Sequence, residues 1–472
     1  MYRREGEPPL IKGWIPYLGK AVEFTRDAHK FLTTTQDKHG DIFTVRIAGK
    51  YITFVMDPVL YPCVIKQGKK LDFHELSHKA GQTVFTFPPD LGIQGLAENL
   101  AHTFSFLRGD HLILLTESMM GNLQLVLKQD YLCEESGWRV GGVHHFCRHV
   151  MFEATFLTLF GKPSHTTRHV DTDALREKLF QFDGVFLLLL AQVPISLLGS
   201  MKTIREEIIC SLLPENRQKW CGTSRFLQET ANMLDLYPMF REKDKAGLYF
   251  SLLWGSVTNT IPAMFWTMYH LLKSPEALAT VRRELNQVLQ LSGQEVGCGQ
   301  DITLTQEQLD SLLYLGSAIK ESLRLYSVAA NFRLTQEDFN LQLDRGRCAK
   351  IRKGDFLVLF PMATHLDPEV YEDPEVYKFD RFVEDGKEKK DFYKRGQKLK
   401  YYLMPFASGS TICPGRFLAT NGIKLLLSLV LLHLDVELLD NRQAVTMNPG
   451  RIGLGTVSPN SDPPFRYRPR PL

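Results

Sequence analysis

The stretch Phe406-Ala407-Ser408-Gly409-Ser410-Thr411-Ile412-Cys413-Pro414-Gly415 places one cysteine in a short, glycine-containing loop. It fits the pattern F-x-x-G-x-x-x-C-x-G. In such a loop Gly409 and Gly415 allow tight backbone turns, and Phe406 can shield the sulfur from water. Apolar residues follow at helical spacing over residues 415–434, so the positive end of a helix dipole would lie beside the sulfur. The pattern predicts a metal-ligand role for Cys413; the alternative is a buried structural cysteine in a glycine-rich turn.

Apolar residues recur at helical spacing over most of the chain, which predicts a mainly α fold with a minor β part. Two β-branched, alternating segments between Asp41 and Asp57 predict an early hairpin, and short strand-like pieces return at 341–343 and 356–360. Helices are predicted over residues 112–127, 173–182, 246–272, 275–291, 306–326 and 415–434, with loops over 292–300 and 367–400.

Composition excludes several classes of protein. The chain has 472 residues, 44% of them hydrophobic, and a formal net charge of +3, which is too small to indicate nucleic acid binding. Eight cysteines without a CxxC pair indicate neither a zinc site nor a secreted disulfide framework. We expect residues 1–472 to form a single domain. From the basic and proline-rich start of the chain we expect the cytosolic flank of a removed or missing anchor helix.

Two further motifs stand upstream of the cysteine loop. Glu321-Ser322-Leu323-Arg324 puts an acid and a base on one face of a helix, and Phe379-Asp380-Arg381-Phe382 lies between that helix and Cys413. Together with the loop, these motifs resemble the cytochrome P450 superfamily. The resemblance implies haem b (iron protoporphyrin IX) between a distal and a proximal helix, with Cys413 as the axial iron ligand. It also implies a buried structural network of Glu321, Arg324 and Arg381.

The haem propionates have one predicted partner. Arg333 stands where similar enzymes have an arginine that binds a propionate with two hydrogen bonds, although a surface arginine is the alternative. The second partner usually lies two residues before the cysteine, where this chain has Thr411. Phe379 also replaces the proline that the family usually has two residues before Arg381. We therefore expect that propionate binding depends in part on residues other than those that the family usually uses.

The distal helix departs from the family at its reactive centre. Its sequence is Trp254-Gly255-Ser256-Val257-Thr258-Asn259-Thr260-Ile261-Pro262, and Thr258 and Asn259 replace the usual acid and threonine that deliver protons to bound dioxygen. Thr258, Asn259 and Thr260 are the candidate catalytic residues. Either they form another relay with water, or the relay is missing. A helix kink at Asn259 before Pro262 is a third interpretation.

The asparagine marks a subgroup that comprises the sterol 7α- and 12α-hydroxylases and prostacyclin synthase. Stretches such as NTIPAMFW from Asn259, LTQEQLDSL from Leu304 and TICPGRF from Thr411 resemble the oxysterol (25-hydroxycholesterol) 7α-hydroxylases. The resemblance implies 7α-hydroxylation of oxysterols and related 3β-hydroxysteroids with O2, in cholesterol catabolism and bile acid synthesis. Electrons would come from NADPH through cytochrome P450 reductase, at the cytoplasmic face of the endoplasmic reticulum membrane. By analogy, the substrate pocket would include Trp254, Val328, Ala329, Ala330 and Leu454, residues that equally suit core packing.

Two surface features fit this interpretation. Residues 186–190 and 193–198 form a broken apolar stretch that suits either the core or a membrane surface. Seven basic residues between 387 and 400 would suit an acidic reductase or simply a solvated loop. Three alternatives stay open: a peroxide isomerase resembling prostacyclin synthase, a 12α-hydroxylase-like enzyme, and a non-catalytic sterol-binding haem protein.

Overall fold

Helices form most of the molecule in the computed structural model. It describes residues 5–15, 17–87, 93–132, 137–163, 170–294, 301–328, 330–343, 346–448, 453 and 455–470. The α-helices in this part of the chain are Ala21–Arg26 (α1), Ala28–His39 (α2), Tyr61–Ile65 (α3), His74–Phe85 (α4), Leu96–Thr103 (α5), Gly109–Asp130 (α6), Val143–Phe160 (α7), Val170–Asp183 (α8), Phe186–Leu190 (α9), Met201–Ser211 (α10), Pro214–Arg217 (α11), Arg225–Asp235 (α12), Glu242–Val257 (α13), Thr260–Lys273 (α14), Pro275–Leu291 (α15), Gln306–Ser311 (α16), Leu313–Tyr326 (α17), Pro361–His365 (α18) and Arg416–His433 (α19).

Strands are short and mostly lie within residues 10–72 and 331–469. They are Leu10–Ile11 (β1), Ile42–Ile47 (β2), Lys50–Val55 (β3), Leu71–Asp72 (β4), Arg139–Gly142 (β5), Lys162–Pro163 (β6), Trp220–Cys221 (β7), Asn331–Thr335 (β8), Phe339–Gln342 (β9), Cys348–Ile351 (β10), Phe356–Leu359 (β11), Val383–Glu384 (β12), Lys387–Glu388 (β13), Tyr393–Lys394 (β14), Gln397–Lys398 (β15), Leu434–Leu438 (β16) and Pro464–Pro469 (β17).

The largest sheet has the strand order β1-β2-β3-β11-β8-β4. Side chains alternate across a strand, and in β8 the buried positions are Asn331, Arg333 and Thr335. An arginine therefore points to the buried side of the sheet, where Arg333 is only 3% exposed. This placement brings it to the cysteine loop.

The core lies among long apolar helices. α19 packs against α6, α14, α15 and α17, and its residues from Asn421 to His433 are buried. Among the described helices, α19 is also long and apolar enough to cross a membrane, but 78% of its length is buried within the protein. It is therefore a core helix that starts beside Cys413.

The predicted fold class, mainly α with a minor β part, is confirmed. The early hairpin forms as β2 and β3, and the helices predicted over 112–127, 173–182, 275–291 and 415–434 are present, some of them longer than predicted. The predicted loop over 367–400 instead contains two small hairpins, β12–β13 and β14–β15. Of the loop predicted over 292–300, residues 295–300 lie outside the described residues.

Two of the predictions are wrong, because each predicted continuous helix is divided into two helices in the structure. Residues 306–326 form α16 and α17, because the carboxylate of Glu284 accepts hydrogen bonds from the amides of Tyr314 and Leu315 and so caps a new helix start. Residues 246–272 divide into α13 and α14 at Thr258 and Asn259. Pro262 has no N–H to donate to the Thr258 carbonyl, which removes one helical hydrogen bond at the break.

A buried carboxyl makes stability depend on pH. Glu153 of α7 is 8% exposed, and its Oε1 accepts a 3.4 Å hydrogen bond from Thr172. Among the described residues its Oε2 has no partner. Burial raises the pKa of Glu153 to about 7. The folded state therefore prefers the neutral acid, and stability is lost as the pH rises from the ordinary pKa near 4.5 through 7.

We expect Glu153→Gln to stabilise the protein above pH 7, by up to about 3 kcal/mol, because the amide cannot ionise. Thermal unfolding between pH 6 and 8.5 measures this. The gain in Tm over the wild type should grow with pH. Glu177→Gln is the control, since that side chain is 51% exposed and its effect should be flat with pH. A pH-independent effect of Glu153→Gln would contradict this account.

Candidate functional site

The cysteine loop, residues 406–415, folds back so that Cys413 lies beside Phe406. The Cys413 amide N–H donates to the Phe406 carbonyl over 2.9 Å, and a 3-10 turn, Gly409–Thr411, forms the bend. Gly409 has a φ of +63°, and a Cβ there would lie 2.9 Å from Cγ2 of Ile65. Glycine is therefore required at the bend. The loop delivers the sulfur to the N-terminus of α19.

The Cys413 thiol is free and partly exposed. Burial raises its pKa, while the backbone N–H groups of Gly415 and Arg416 donate to the sulfur and lower it, as does the Arg416 charge. A Cβ added at Gly415 would meet no atom within 4 Å, so open space adjoins the loop. The arrangement can stabilise a thiolate that is bound to a metal ion.

Arg333 reaches the same loop from β8. Its guanidinium donates to the Ser408 carbonyl at 2.9 Å and to Oγ1 of Thr411 at 3.3 Å. Both acceptors are neutral, and within the described part of the chain no carboxylate pairs with this arginine. Burial lowers its pKa. A buried cation without a counter-charge is a site for an anionic group.

The structure brings Glu321, Arg324 and Arg381 into one buried network. Nε and Nη2 of Arg324 lie 2.7 and 2.8 Å from the two Glu321 carboxylate oxygens, and Nε of Arg381 lies 2.9 Å from Oε1. The backbone N–H of Lys378 donates to the same oxygen, one residue before Phe379. The carboxylate therefore holds the backbone of this loop although the usual proline is replaced.

A buried histidine links this network to the cysteine loop. Arg324 donates to the backbone carbonyl of His365, and Nε2 of His365 accepts from the Met404 N–H over 3.1 Å. Burial, together with the Arg324 charge, lowers the pKa of His365 to about 3. The ring therefore stays neutral and keeps its acceptor nitrogen at physiological pH. Met404 lies two residues before Phe406.

The three distal polar residues use their hydrogen-bonding groups on the protein itself. The Thr258 hydroxyl donates to the Trp254 carbonyl and the Thr260 hydroxyl to the Ser256 carbonyl, each over 2.9 Å. Thr258 is 0% and Thr260 6% exposed, whereas Asn259 is partly exposed. Oδ1 of Asn259 accepts from the Thr456 N–H. The break between α13 and α14 therefore presents Asn259 rather than either threonine.

The predicted pocket residues lie on different elements. Trp254 of α13 stacks on Phe186 with ring centroids 4.1 Å apart, and its Nε1 donates to Asp183. Val328 is buried, and its N–H donates to the Gly455 carbonyl, beside Asn259. Ala330 packs against an apolar cluster of the main sheet instead. Ala329 and Leu454 lie outside the described residues.

Two further residues of this region, Asp183 and Gly455, are not among the predicted site residues. Asp183 is a buried carboxylate, 7% exposed, that fixes the Trp254 indole from a position 71 residues away. Nothing in its local sequence indicates this contact. Gly455 lies against the Asn259 carboxamide, and its place in the Gly453-Leu454-Gly455 stretch was the available signal for a close backbone approach.

Comparison with known proteins agrees with this geometry. A family model described as Cytochrome P450 matches residues 8–463. The chain belongs to the cytochrome P450 family. This P450 is 41% identical to "Cytochrome P450 7B1" of Mus musculus, over 99% of this chain and 91% of the relative. It is 38% identical to "25-hydroxycholesterol 7-alpha-hydroxylase" of Rattus norvegicus, over 86% and 98% of the two chains.

A third relative acts at another carbon. The human "7-alpha-hydroxycholest-4-en-3-one 12-alpha-hydroxylase" is 36% identical to this P450, over 99% of this chain and 94% of the relative. P450 monooxygenases use haem b as their cofactor, and so does this member of the family. The residues present fit that group: a free thiol with two N–H donors, open space beside Gly415, and an uncompensated buried arginine suited to a propionate.

Replacing Glu321 by Gln should lower the free energy of unfolding by about 3–5 kcal/mol, because two buried guanidinium groups would lose the carboxylate that they share. Urea denaturation of the haem-loaded protein, followed by circular dichroism, measures this change. Lys320→Ala is the control on the same helix, since its exposed pair with Glu388 should contribute at most about 1 kcal/mol. Equal midpoints for the two variants would argue against the network.

Proposed function

We propose that this P450 hydroxylates oxysterols and related 3β-hydroxysteroids at the 7α position, in cholesterol catabolism and bile acid synthesis. The observation that carries the proposal is the cysteine loop, in which a helix start and a buried cation adjoin one free thiol. A relative named as a 25-hydroxycholesterol 7-alpha-hydroxylase supports the substrate class, since its similarity covers 86% of this chain. Because a 12α-hydroxylase is also among the relatives, the experiment must establish which carbon of the sterol is hydroxylated.

The Cys413 sulfur would hold the haem iron, with Phe406, Gly409 and Gly415 shaping the loop around it. The N–H groups of Gly415 and Arg416 would hold the thiolate, and Arg333 would bind one propionate. When bound, haem b supplies the oxygen-activating chemistry. The network of Glu321, Arg324 and Arg381 fixes the backbone that carries this loop.

The residues across the haem site from the cysteine loop would position the sterol. Thr258, Asn259 and Thr260 would lie on the oxygen-binding side, and Trp254 and Val328 would line the pocket. Because a rigid sterol must present one C–H bond, small displacements of these walls change rate and product. The Trp254 indole suits such a wall, since Phe186 and Asp183 restrain both its plane and its edge.

We propose a docking face for the NADPH–cytochrome P450 reductase at the surface of the cysteine loop. The basic residues of 387–400 are poor candidates, because Lys389, Lys390, Lys394 and Lys398 already pair with acids of this chain. Burial lowers the pKa of Arg416, and so does the nearby charge of Arg108. Ile412 and Phe417 are exposed beside them. Adjacent cations around exposed apolar residues suit an acidic partner.

We also propose that this P450 lies on the cytoplasmic face of the endoplasmic reticulum membrane. Trp14, Ile15, Tyr17 and Val22 are all more than half exposed near the N-terminus, as is Leu197. In the apolar stretch after α8, Phe186 and Leu189 are buried, so only part of that stretch is available to lipid. Flotation with phospholipid vesicles measures this association, and Trp14→Ser should reduce the bound fraction.

The wild-type protein should give the carbon monoxide difference spectrum of a thiolate-ligated haem, and Cys413→Ala should lose it, because alanine offers no ligand atom. Cys63→Ala, which removes another partly buried thiol, should keep it. With reductase, NADPH and a panel of oxysterols, mass spectrometry should locate the new hydroxyl at the 7α position. A 12α product would instead indicate a 12α-hydroxylase-like enzyme, and turnover of peroxides without NADPH would indicate a peroxide isomerase.

Arg108→Ala should slow reduction by the reductase several-fold at low ionic strength, because it removes a charge that attracts the acidic partner. Stopped-flow reduction at a series of salt concentrations measures this effect, which should fade as salt rises. Lys390→Ala is the control, since that lysine is 66% exposed but paired with Glu388. Equal effects of the two substitutions would place the docking face elsewhere.

A further inference from the structure

The helix break on the distal side is joined to the C-terminal part of the chain through one side chain. Oδ1 of Asn259 accepts a hydrogen bond from the backbone N–H of Thr456 over 3.1 Å. Gly455 has a φ of +136°, and a Cβ there would lie 2.3 Å from that same oxygen. Only glycine therefore lets the carboxamide approach the backbone so closely. Residues 455–457 are called the clamped segment below.

The clamped segment is tied on two sides. Trp266, seven residues after Asn259 and so on the same face of the helix, donates from Nε1 to the Val457 carbonyl over 2.7 Å. On the other side, the Val457 N–H donates to the Tyr326 carbonyl, and the Gly455 carbonyl accepts from the Val328 N–H over 2.9 Å. The segment thus bridges the helix break and the chain that leaves α17, which includes the pocket residue Val328.

The bond to Thr456 also decides which end of the carboxamide is available. With Oδ1 engaged as an acceptor, the amide cannot turn over without losing that bond, and its second group is an NH2 donor. A carboxamide neither takes up nor releases a proton in the physiological pH range. The neighbouring hydroxyls of Thr258 and Thr260 already donate to backbone carbonyls of α13. These contacts describe an anchoring group rather than a proton carrier.

We propose that Asn259 is a positioning residue: through Thr456 it fixes the clamped segment, and with it Val328, relative to the break in the distal helix. The inference rests on the proposed sterol hydroxylation and names the side chain that sets how the sterol lies. Loss of the anchor would let the wall at Val328 shift. Such a shift would change which carbon is oxidised and how many electrons reach product.

Three variants of Asn259 separate anchoring from other roles. Asn259→Asp keeps the shape and an acceptor oxygen for the Thr456 N–H, whereas Asn259→Leu keeps the volume without an acceptor and Asn259→Ala keeps neither. Hydrogen exchange of the peptide that covers residues 453–458, measured on the haem-loaded protein, reads the anchor without any turnover. We expect exchange at least several-fold faster in the Leu and Ala variants, and near the wild-type rate in the Asp variant. Thr260→Val should leave this exchange unchanged, because its hydroxyl donates to the Ser256 carbonyl of α13 and not to the clamped segment.

The same variants are then compared in turnover, with products counted per haem-loaded molecule. The Leu and Ala variants should spread hydroxylation over more than one carbon and convert several-fold fewer NADPH electrons into product. The Asp variant should restore most of the selectivity. Unchanged exchange in the Leu and Ala variants would overturn the anchor while wild-type turnover still supported the proposed function. An Asp variant that protects the Thr456 amide but loses selectivity as Ala does would overturn the positioning role.

Discussion

The bidentate contact between Glu321 and Arg324 is the interaction on which the rest of this site depends. Both side chains are completely buried, so neither charge has water as an alternative partner. The carboxylate also holds Arg381 and the Lys378 amide, and Arg324 continues to the carbonyls of His365 and Pro374. One ion pair in α17 thereby fixes α18 and the chain between Pro374 and Arg381.

Hydrogen bonds between neutral groups then connect this ion pair to the chain that carries the Cys413 sulfur. His365 stays neutral and accepts from the Met404 amide, and the Tyr371 hydroxyl donates to the Tyr402 carbonyl. The chain then reaches Phe406, whose carbonyl receives the Cys413 N–H. The cysteine loop carries few side chains that could hold it by themselves. Its shape is set by groups anchored behind it, which is how a buried ion network contributes geometry more than stability.

The parts of this site that follow from short motifs could be predicted from the sequence. Cys413 with its glycines, and Glu321 with Arg324 one helical turn apart, are local patterns with a local physical meaning. The break between α13 and α14 could not be predicted from periodicity, because apolar residues continue through it in helical register. The contacts of Asp183 with Trp254 and of Thr456 with Asn259 join residues far apart in the chain. Only the folded chain reveals them, just as it shows that the basic residues of 387–400 are largely neutralised.

Because of Arg333, the stability of the folded protein depends on the cofactor that it binds. Its charge is buried on strand β8 of the main sheet and faces only neutral acceptors among the described residues, so the protein alone bears the full desolvation cost of that cation. A group that brings a negative charge to the folded state, and not to the unfolded chain, shifts the folding equilibrium by mass action. The amount of folded protein in a cell would then follow the supply of its cofactor, and chains that fail to acquire it would be the ones exposed to proteolysis.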